Sequence, residues 1–444
     1  MISSFKILYS EIEDRLLVPF YRLKEITNKL NTDIGSEAES ITNGIDLRTF
    51  IKDGTPYIRV SDIKRGQINL QTAKKVKENL QDVPKKIIVK ADDLLISRKG
   101  TPGIISIATE LEEKCIIGTE IIKITLKKES KVLPKFTFAF LNSNIGIAQI
   151  HSKLTGTVSR GINHPALKTI RLPIPSKRKQ IEISGFIEKA LEKHVMALSK
   201  IEEAKTIFIK ELAVKEIKIN ENKFYRVFFK DLNDMFTPRY YYPLYQQTIK
   251  EIEKKFKTVK LSDISEIKRG DEPGSKNYKP ILNKESKDVP FIRTSDIVNY
   301  EIDDYPDFYL PKEIFTELNQ DIQKEDVIFT KDGKIGLSAI YTESDECILA
   351  SGLARIRVKK YSPHYVFIVL NTFCGLYQTK QRVVIAATLP HLHPERLAEI
   401  KIPIIPESKQ KEISKLVKEA FDLKAEKKEL IRKAREEVEK VIQE

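Results

Sequence analysis

Two short glycine-bearing stretches offer the plainest chemistry in this chain. Arg98-Lys99-Gly100-Thr101-Pro102-Gly103 and Lys331-Asp332-Gly333-Lys334-Ile335-Gly336 each follow an apolar run of strand-like composition. A glycine turn lets backbone N–H groups approach a phosphate, and the cations at Arg98, Lys99, Lys331 and Lys334 add attraction. The same residues also suit an ordinary tight β-turn. A second pair, Ile58-Arg59-Val60-Ser61-Asp62-Ile63 and Ile292-Arg293-Thr294-Ser295-Asp296-Ile297, alternates apolar with polar residues. On a strand, Arg59 and Ser61, or Arg293 and Ser295, would share one face. There arginine can grip phosphate or a guanine edge, and serine can serve either. The alternative is an internal salt bridge, such as Arg59 to Asp62, that holds a turn. A third pair of polar loops runs from Thr157 to Pro165 and from Thr388 to Pro394. It holds Ser159, Arg160, Asn163 and His164 in one copy, His391 and His393 in the other. Loops on a rigid body often carry recognition. These two differ most in residue identity, as would suit reading different bases, although ordinary loop drift would look the same.

No arrangement of residues points to catalysis. The chain lacks a Walker loop, a Gly-x-Gly-x-x-Gly after a strand, a Gly-x-Ser-x-Gly and a His-Glu-x-x-His. It also lacks the Asn/Asp-Pro-Pro-Tyr/Phe tetrapeptide with which DNA amino-methyltransferases hold the target amine. His391-Leu392-His393 has metal-ligand spacing, but no acidic or thiol partner lies nearby in sequence, so no metal site is expected.

These elements recur in order. Pro56 to Ile63 returns as Pro290 to Ile297, an offset of 234 residues, and Asp93 to Gly103 returns as Asp326 to Gly336. Arg15-x-x-x-Pro19-x-Tyr21 answers Arg239-x-x-x-Pro243-x-Tyr245, and Pro173 to Gln180 answers Pro403 to Gln410. One duplicated unit accounts for all of them. Each body carries β-like runs rich in Val, Ile, Thr and Phe. They are Lys86 to Lys90, Leu94 to Ser97, Ile104 to Ala108 and Ile121 to Leu126, then Val327 to Thr330, Leu337 to Tyr341 and Ala354 to Val358. A helix is expected near each body's end, over Lys135 to Ser152 and Pro363 to Arg382. Prolines then close each body as an extended joint.

Beyond each joint the composition turns to Lys, Glu, Ala, Leu and Ile, the makeup of long helices. The second helix shows a heptad seam of Ile413, Leu416, Ala420, Leu423, Leu430, Ala434 and Val441. The first is less regular. Ile187, Leu191, Leu198, Ile201, Phe208 and Leu212 share a seam that His194 and Lys205 interrupt. A helix of about 38 residues is roughly 57 Å long and cannot bury such a stripe alone. The first helix carries the chain away and the second must return, so antiparallel pairing of the two is expected. Separate packing of each helix on its own body is the alternative. The expected class is α+β: two tandem mixed α/β bodies over 1–175 and 219–403, and long helices over 176–218 and 404–444.

Composition narrows the partner. The 444 residues hold 77 Lys and Arg against 63 Asp and Glu, a net charge of +14, with a pI near 9.2. Such a chain favours a polyanion, most often nucleic acid, although a lysine-rich solubilising surface would give the same count. Cys115, Cys347 and Cys374 form no disulfide framework and read as small core residues of a reduced cytosolic protein. No apolar run reaches roughly 18 residues, so no membrane span is expected, and the N-terminus is charged too early for a signal peptide.

On the tandem Ile-Arg-x-Ser-Asp-Ile elements, the paired strand–glycine turns and the closing Pro173-x-Pro175 with Gln180 and Ile183, echoed by Pro403, Pro406, Gln410 and Ile413, the chain resembles the specificity subunits of Type I restriction–modification systems. The resemblance spans nearly the full length. It implies two target-recognition domains, each reading one half of a split duplex DNA target. It implies a coiled coil that fixes their separation and docks DNA methyltransferase subunits. No cofactor would belong to this chain: S-adenosylmethionine, Mg and ATP would sit on the methyltransferase and on ATP-dependent restriction subunits. The split-site Type IIB relatives are similar, and a coiled-coil scaffold joining two protein-binding modules is the reading from another class.

Overall fold

The computed structural model describes residue 23 and residues 26–156, 160–214, 225–232, 234–280, 288–342, 346–386 and 389–443. Two compact units divide the chain: Met1–Val195 with Glu426–Glu444, and Met196–Ala425. Each is built on the same plan.

In the first unit an antiparallel sheet orders its strands Ala38–Asn43, Ile121–Leu126, Leu94–Ser97, Ile105–Ile107. A second sheet orders Ile116–Ile117, Thr55–Ile58, Lys74–Val76, Phe50–Ile51, and its first pair runs parallel. The helix Pro134–Leu141 sends Phe136, Phe138 and Phe140 into a core shared with Ile96, Ile105 and Ile124. The second unit repeats this. Ser265–Arg269, Leu353–Val358, Val327–Thr330 and Ser338–Ile340 form one sheet. Lys279–Pro280, Phe308–Leu310, Val289–Ile292 and Ile348–Leu349 form the other, again with one parallel pair. Even the register repeats: Lys123 lies opposite Leu95, and Arg355 opposite Ile328.

Both sheets carry a buried cation that the sequence conceals. Lys123 Nζ lies 2.8 Å from Asp93 Oδ2, with the two side chains 3% and 1% exposed. Lys90 N–H and the Thr125 hydroxyl also donate to Asp93. In the second sheet Asp326 accepts from Arg357 at 2.9 Å, and Arg355, 2% exposed, donates to Glu266. The aliphatic stems pack in the sheet while each charge is neutralised on the spot.

Three local expectations change. Lys86 to Lys90 is no strand: Lys85–Ile87 is a 3₁₀ turn, and Ile88 makes a lone bridge to Ile116. The helix expected over Lys135 to Ser152 breaks into Pro134–Leu141 and Asn144–Ser152. Its echo breaks into Pro363–Leu370 and Phe373–Arg382. At each break an asparagine turns its amide back onto a helix carbonyl, Asn142 onto Phe138 and Asn371 onto Phe367. That competes with continuing the helix.

The long helices span Lys177–Leu212 and Glu407–Gln443. The first ends short of the expected residue 218. Ala213 adopts a left-handed φ of 45°, and Lys255 donates to the last carbonyls, Leu212 and Ala213. Within the first unit Lys179 pairs with Glu437 and Lys193 with Glu426; within the second, Lys200 pairs with Glu419. Rising numbers meet falling ones, so the two helices pack antiparallel in the first unit, where two pairs fix the direction.

The buried stripes match the expected seams only in part: Ile187, Ile201, Phe208, Leu212, Ile413, Ala420 and Ala434 are buried. On the first helix they run Ile183, Ile187, Ala190, His194, Ala197, Ile201, Ala204 and Phe208, a regular alternation of four and three, and end at Leu212. Leu191 and Leu198 only flank it, and His194 belongs to it. On the second helix Ile413, Val417, Ala420, Lys424, Lys427, Ala434 and Val438 are buried. Leu416, Leu423, Leu430 and Val441 are half-buried. Alanines at every seventh position, 190, 197 and 204, shorten the side chains at the contact and allow close helix approach. The larger leucines lie to one side because each helix also covers a body: Ile201 and Phe208 share one core with Tyr365 and Phe367.

The closing motif has a mechanical role. Gln180, 2% exposed, accepts from Leu133 N–H and donates to the Lys131 and Pro175 carbonyls, clipping the joint to the helix start. Gln410 donates to Ile405 in the same way. All three cysteines are buried thiols, and burial pushes Cys115 and Cys374 up to about 12. The native protein at neutral pH is therefore expected to leave Cys115 and Cys374 unlabelled by a thiol reagent until denaturant is added. Rapid native labelling of either would contradict their placement.

Candidate nucleic-acid interface

In the first unit the strand Leu94–Ser97 runs into the glycine turn, and Ser97 organises it. Its hydroxyl donates to Thr101 C=O at 2.6 Å and accepts from Ile104 N–H at 2.8 Å. Gly100 sits at φ +80°, and a Cβ added there would meet nothing within 4 Å. The turn's backbone is thus open to a ligand. Arg98 is half-buried: its N–H donates to Glu120 C=O and its C=O accepts from Ile162 N–H. Lys99 is exposed, with Glu120 Oε1 3.9 Å from its ammonium.

The later polar loop comes to the same place. Thr155 and Gly161 bond each other's backbone, and a Cβ at Gly161 would lie 3.1 Å from Arg98 O. Arg160 is exposed. Asn163 caps the helix His164–Lys168 by accepting from Ala166 N–H. His164 Nε2 meets Asn43 Oδ1 at the end of the strand Ala38–Asn43. Burial, then the Arg98 and Lys168 charges, lowers the His164 pKa, which leaves a neutral ring at pH 7. Beneath them His151 is pushed down to about 4 by burial and by Arg65 and Arg160. Ser159 lies outside the described residues.

The second unit stitches its turn the same way. Thr330 Oγ1 donates to Lys334 C=O and accepts from Leu337 N–H. Gly333 has φ +67° and is likewise open. Lys331 C=O accepts from Leu392 N–H, as Arg98 does from Ile162. The side chains differ. Lys331 is 9% exposed and turned onto Asp332 at 2.8 Å, and His391 Nδ1 lies 2.9 Å from Asp332 Oδ1. Lys334 is exposed, and so is His393 at the N-cap of Pro394–Ala398.

The Ile-Arg-x-Ser-Asp-Ile elements are not strands across their polar residues. The strand ends at Ile58, Arg59 is the N-cap, and Val60–Asp62 is a 3₁₀ turn; Thr294–Asp296 repeats this after Arg293. Asp62 and Asp296 are fully buried and accept from the backbone N–H of Arg59 and Arg293. Arg59 is also forked onto Asp62 at 2.9 Å and donates to Thr72 C=O. That is the internal salt bridge, holding a turn. Arg293 instead is exposed and lies 5.0 Å over the Phe308 ring. Ser61 and Ser295 are exposed. Gly352 joins this turn to the glycine turn: a Cβ there would lie 3.0 Å from Thr294 and 3.6 Å from Asp332.

Two further residues carry no motif. Asn43 and Arg269 occupy matching sheet positions, opposite Ile122 and Ala354. Each ends its strand, and Arg269 is exposed. Of the twin Arg-x-x-x-Pro-x-Tyr segments, Arg15, Pro19 and Tyr21 lie outside the described residues. Pro243 starts the helix Pro243–Lys255, and the Tyr245 ring packs 5.3 Å from Tyr377. Among the described residues no group of three or more His, Cys, Asp or Glu could hold a metal ion.

The Type I restriction modification DNA specificity domain matches this chain twice, over residues 18–207 and 253–439. The specificity subunit of the Type I restriction enzyme EcoBI from Escherichia coli is 28% identical over 140 residues. That match spans 31% of this chain and 29% of the relative. Among solved structures, the Type I restriction-modification S subunit from M. genitalium is similar at 15% identity and a TM-score of 0.36, covering 94% of this chain and 96% of that one. The HsdS subunit from Thermoanaerobacter tengcongensis is similar at 16% identity and a TM-score of 0.30, covering 92% and 95%.

Proposed function

This chain belongs to the Type I restriction modification DNA specificity domain family, and from that membership we infer that it is the DNA-reading subunit of a restriction–modification complex. Each body reads one half of a bipartite duplex target. The long helices set the gap and dock methyltransferase subunits. The observation that carries this is the duplication itself: two family matches, and two copies of one open, cation-bordered turn stitched to one polar loop.

In the first body Lys99, Gly100 and Arg160 serve phosphates, with Arg98, Asn163 and His164 beside them. In the second, Gly333, Lys334, Arg269, Arg293, Ser295, His391 and His393 take that role. Arg59 and Lys331, each committed to a neighbouring aspartate, shape the turns. Phosphate contacts supply salt-sensitive affinity, and a few base-edge contacts supply sequence. The chain itself is a reader without chemistry of its own. Partner subunits bring S-adenosylmethionine for methyl transfer, and restriction subunits bring Mg and ATP. Such a complex works in the cytoplasm. Among the described residues no helix is long and apolar enough to cross a membrane.

The test is the binding of duplex DNA to the assembled complex between ~50 and ~200 mM salt, for the native chain and for K99A/R160A. Affinity should fall steeply with salt, and the double variant should flatten the log–log slope by about 2, roughly equally for all sequences. Binding indifferent to salt would count against a DNA reader and for a protein scaffold.

A further inference from the structure

A turn in the second unit holds a bulky residue in a conformation it rarely takes. The short strands Ile297–Val298 and Glu301–Ile302 are joined by Asn299 and Tyr300. Their φ values are +47° and +69°, the signature of a type I′ hairpin. That turn favours Asn-Gly, and tyrosine at the second position is an outlier that surrounding contacts must impose. The matching turn of the first unit, between Ile63–Lys64 and Gln67–Ile68, has the expected glycine: Gly66, φ +81°.

What holds Tyr300 is the pair of long helices. From the first helix, Lys205 donates to the Tyr300 hydroxyl and stands 4.7 Å from the ring centroid, while the hydroxyl donates to Glu202 at 3.2 Å. From the second helix, Lys424 donates to Asn299 C=O at 2.8 Å and lies 3.6 Å from Glu301. Lys424 and Glu301 are both buried. Beneath the turn, the Phe367 ring meets Tyr300 edge-on at 5.9 Å. In the first unit a Cβ on Gly66 would lie 3.7 Å from Ile431 of the second helix and 3.7 Å from Phe138. Both copies therefore press this turn against a long helix, and in the second unit charged groups from both helices grip it.

We propose that Tyr300, gripped by Lys205 and Lys424, is a positioning residue that fixes the second recognition body on the helices and so sets how strictly the gap between half-sites is read. This rests on the DNA-reading role proposed above. An apolar contact slides at small cost, whereas a hydrogen-bonded, buried ammonium has a narrow geometry. A body free to rock on the helices would still read its own bases but accept them at a wrong distance.

The test uses the full chain assembled with methyltransferase subunits and a series of DNA targets whose gap is native, one base pair shorter or one longer. Y300G carries the residue of the first copy, relieves the positive φ and removes the grip. K424M removes the second anchor, and K205R keeps the first. The native chain should prefer the native gap. Y300G and K424M should lose about tenfold or more of that preference, roughly 1.4 kcal/mol, with unchanged penalties for mismatches inside either half-site. K205R should retain it. If Y300G weakens binding to every gap equally, or leaves the preference intact, the proposal is wrong and Tyr300 is a packing residue. A native chain with no gap preference at all would overturn the bipartite reading first, and the latch with it.

Discussion

Replacing Lys123 with methionine, with Asp93 left in place, is expected to lower the unfolding free energy by about 3–5 kcal/mol. Asp93 is 1% exposed, and its carboxylate accepts from Lys123, Thr125 and Lys90 N–H. Removing the ammonium strands a charge inside the sheet, where desolvation far outweighs the lost contact. Since whole domains are stable by only about 5–15 kcal/mol, the loss is a large part of the total. The double variant K123M/D93N should recover to within about 1–2 kcal/mol of the native protein, because neutralising both partners removes the stranded charge. Urea melts of the three proteins decide it. A single variant as stable as the native chain would mean that the pair is not buried as placed.

Lengthening the helix pair is expected to lengthen the unread gap. One heptad inserted between Val195 and Met196, and another between Ala425 and Glu426, falls where each helix passes from one compact unit to the other. Seven residues add about 10 Å of helix and turn its face by only about 20°. The buried stripes therefore stay in phase. At 3.4 Å per base pair the gap should grow by about 3 base pairs, with both half-sites unchanged. Methylation mapping reads this directly. A gap that stays fixed would show that something other than the helices sets it.

The duplication and the long helices were open to sequence reasoning because they are written in order and in composition. The registers were hidden. Ala190, Ala197 and Ala204 do not advertise a seam, whereas Leu191 and Leu198 suggest one at positions that only flank it. Lys123 in Ile121-Ile122-Lys123-Ile124 looks like the solvent side of an alternating strand, yet residues on both faces of this strand are buried. Arg59 and Ser61 looked like one face of a strand, but Asp62 accepts the Arg59 N–H and folds the segment into a turn. A Ser-Asp pair closing an apolar run, read as capping chemistry, would have signalled it. Arg269 bears no motif and emerges only from its place at the end of a strand.

Two like bodies on one helix pair are expected to read two separated stretches of the same duplex. Single-molecule methylome sequencing of cells that carry this chain with methyltransferase subunits tests it most directly. One methylated motif is expected, two specified segments divided by a gap of constant length. A contiguous motif, or methylation that does not change when this chain is removed, would contradict it.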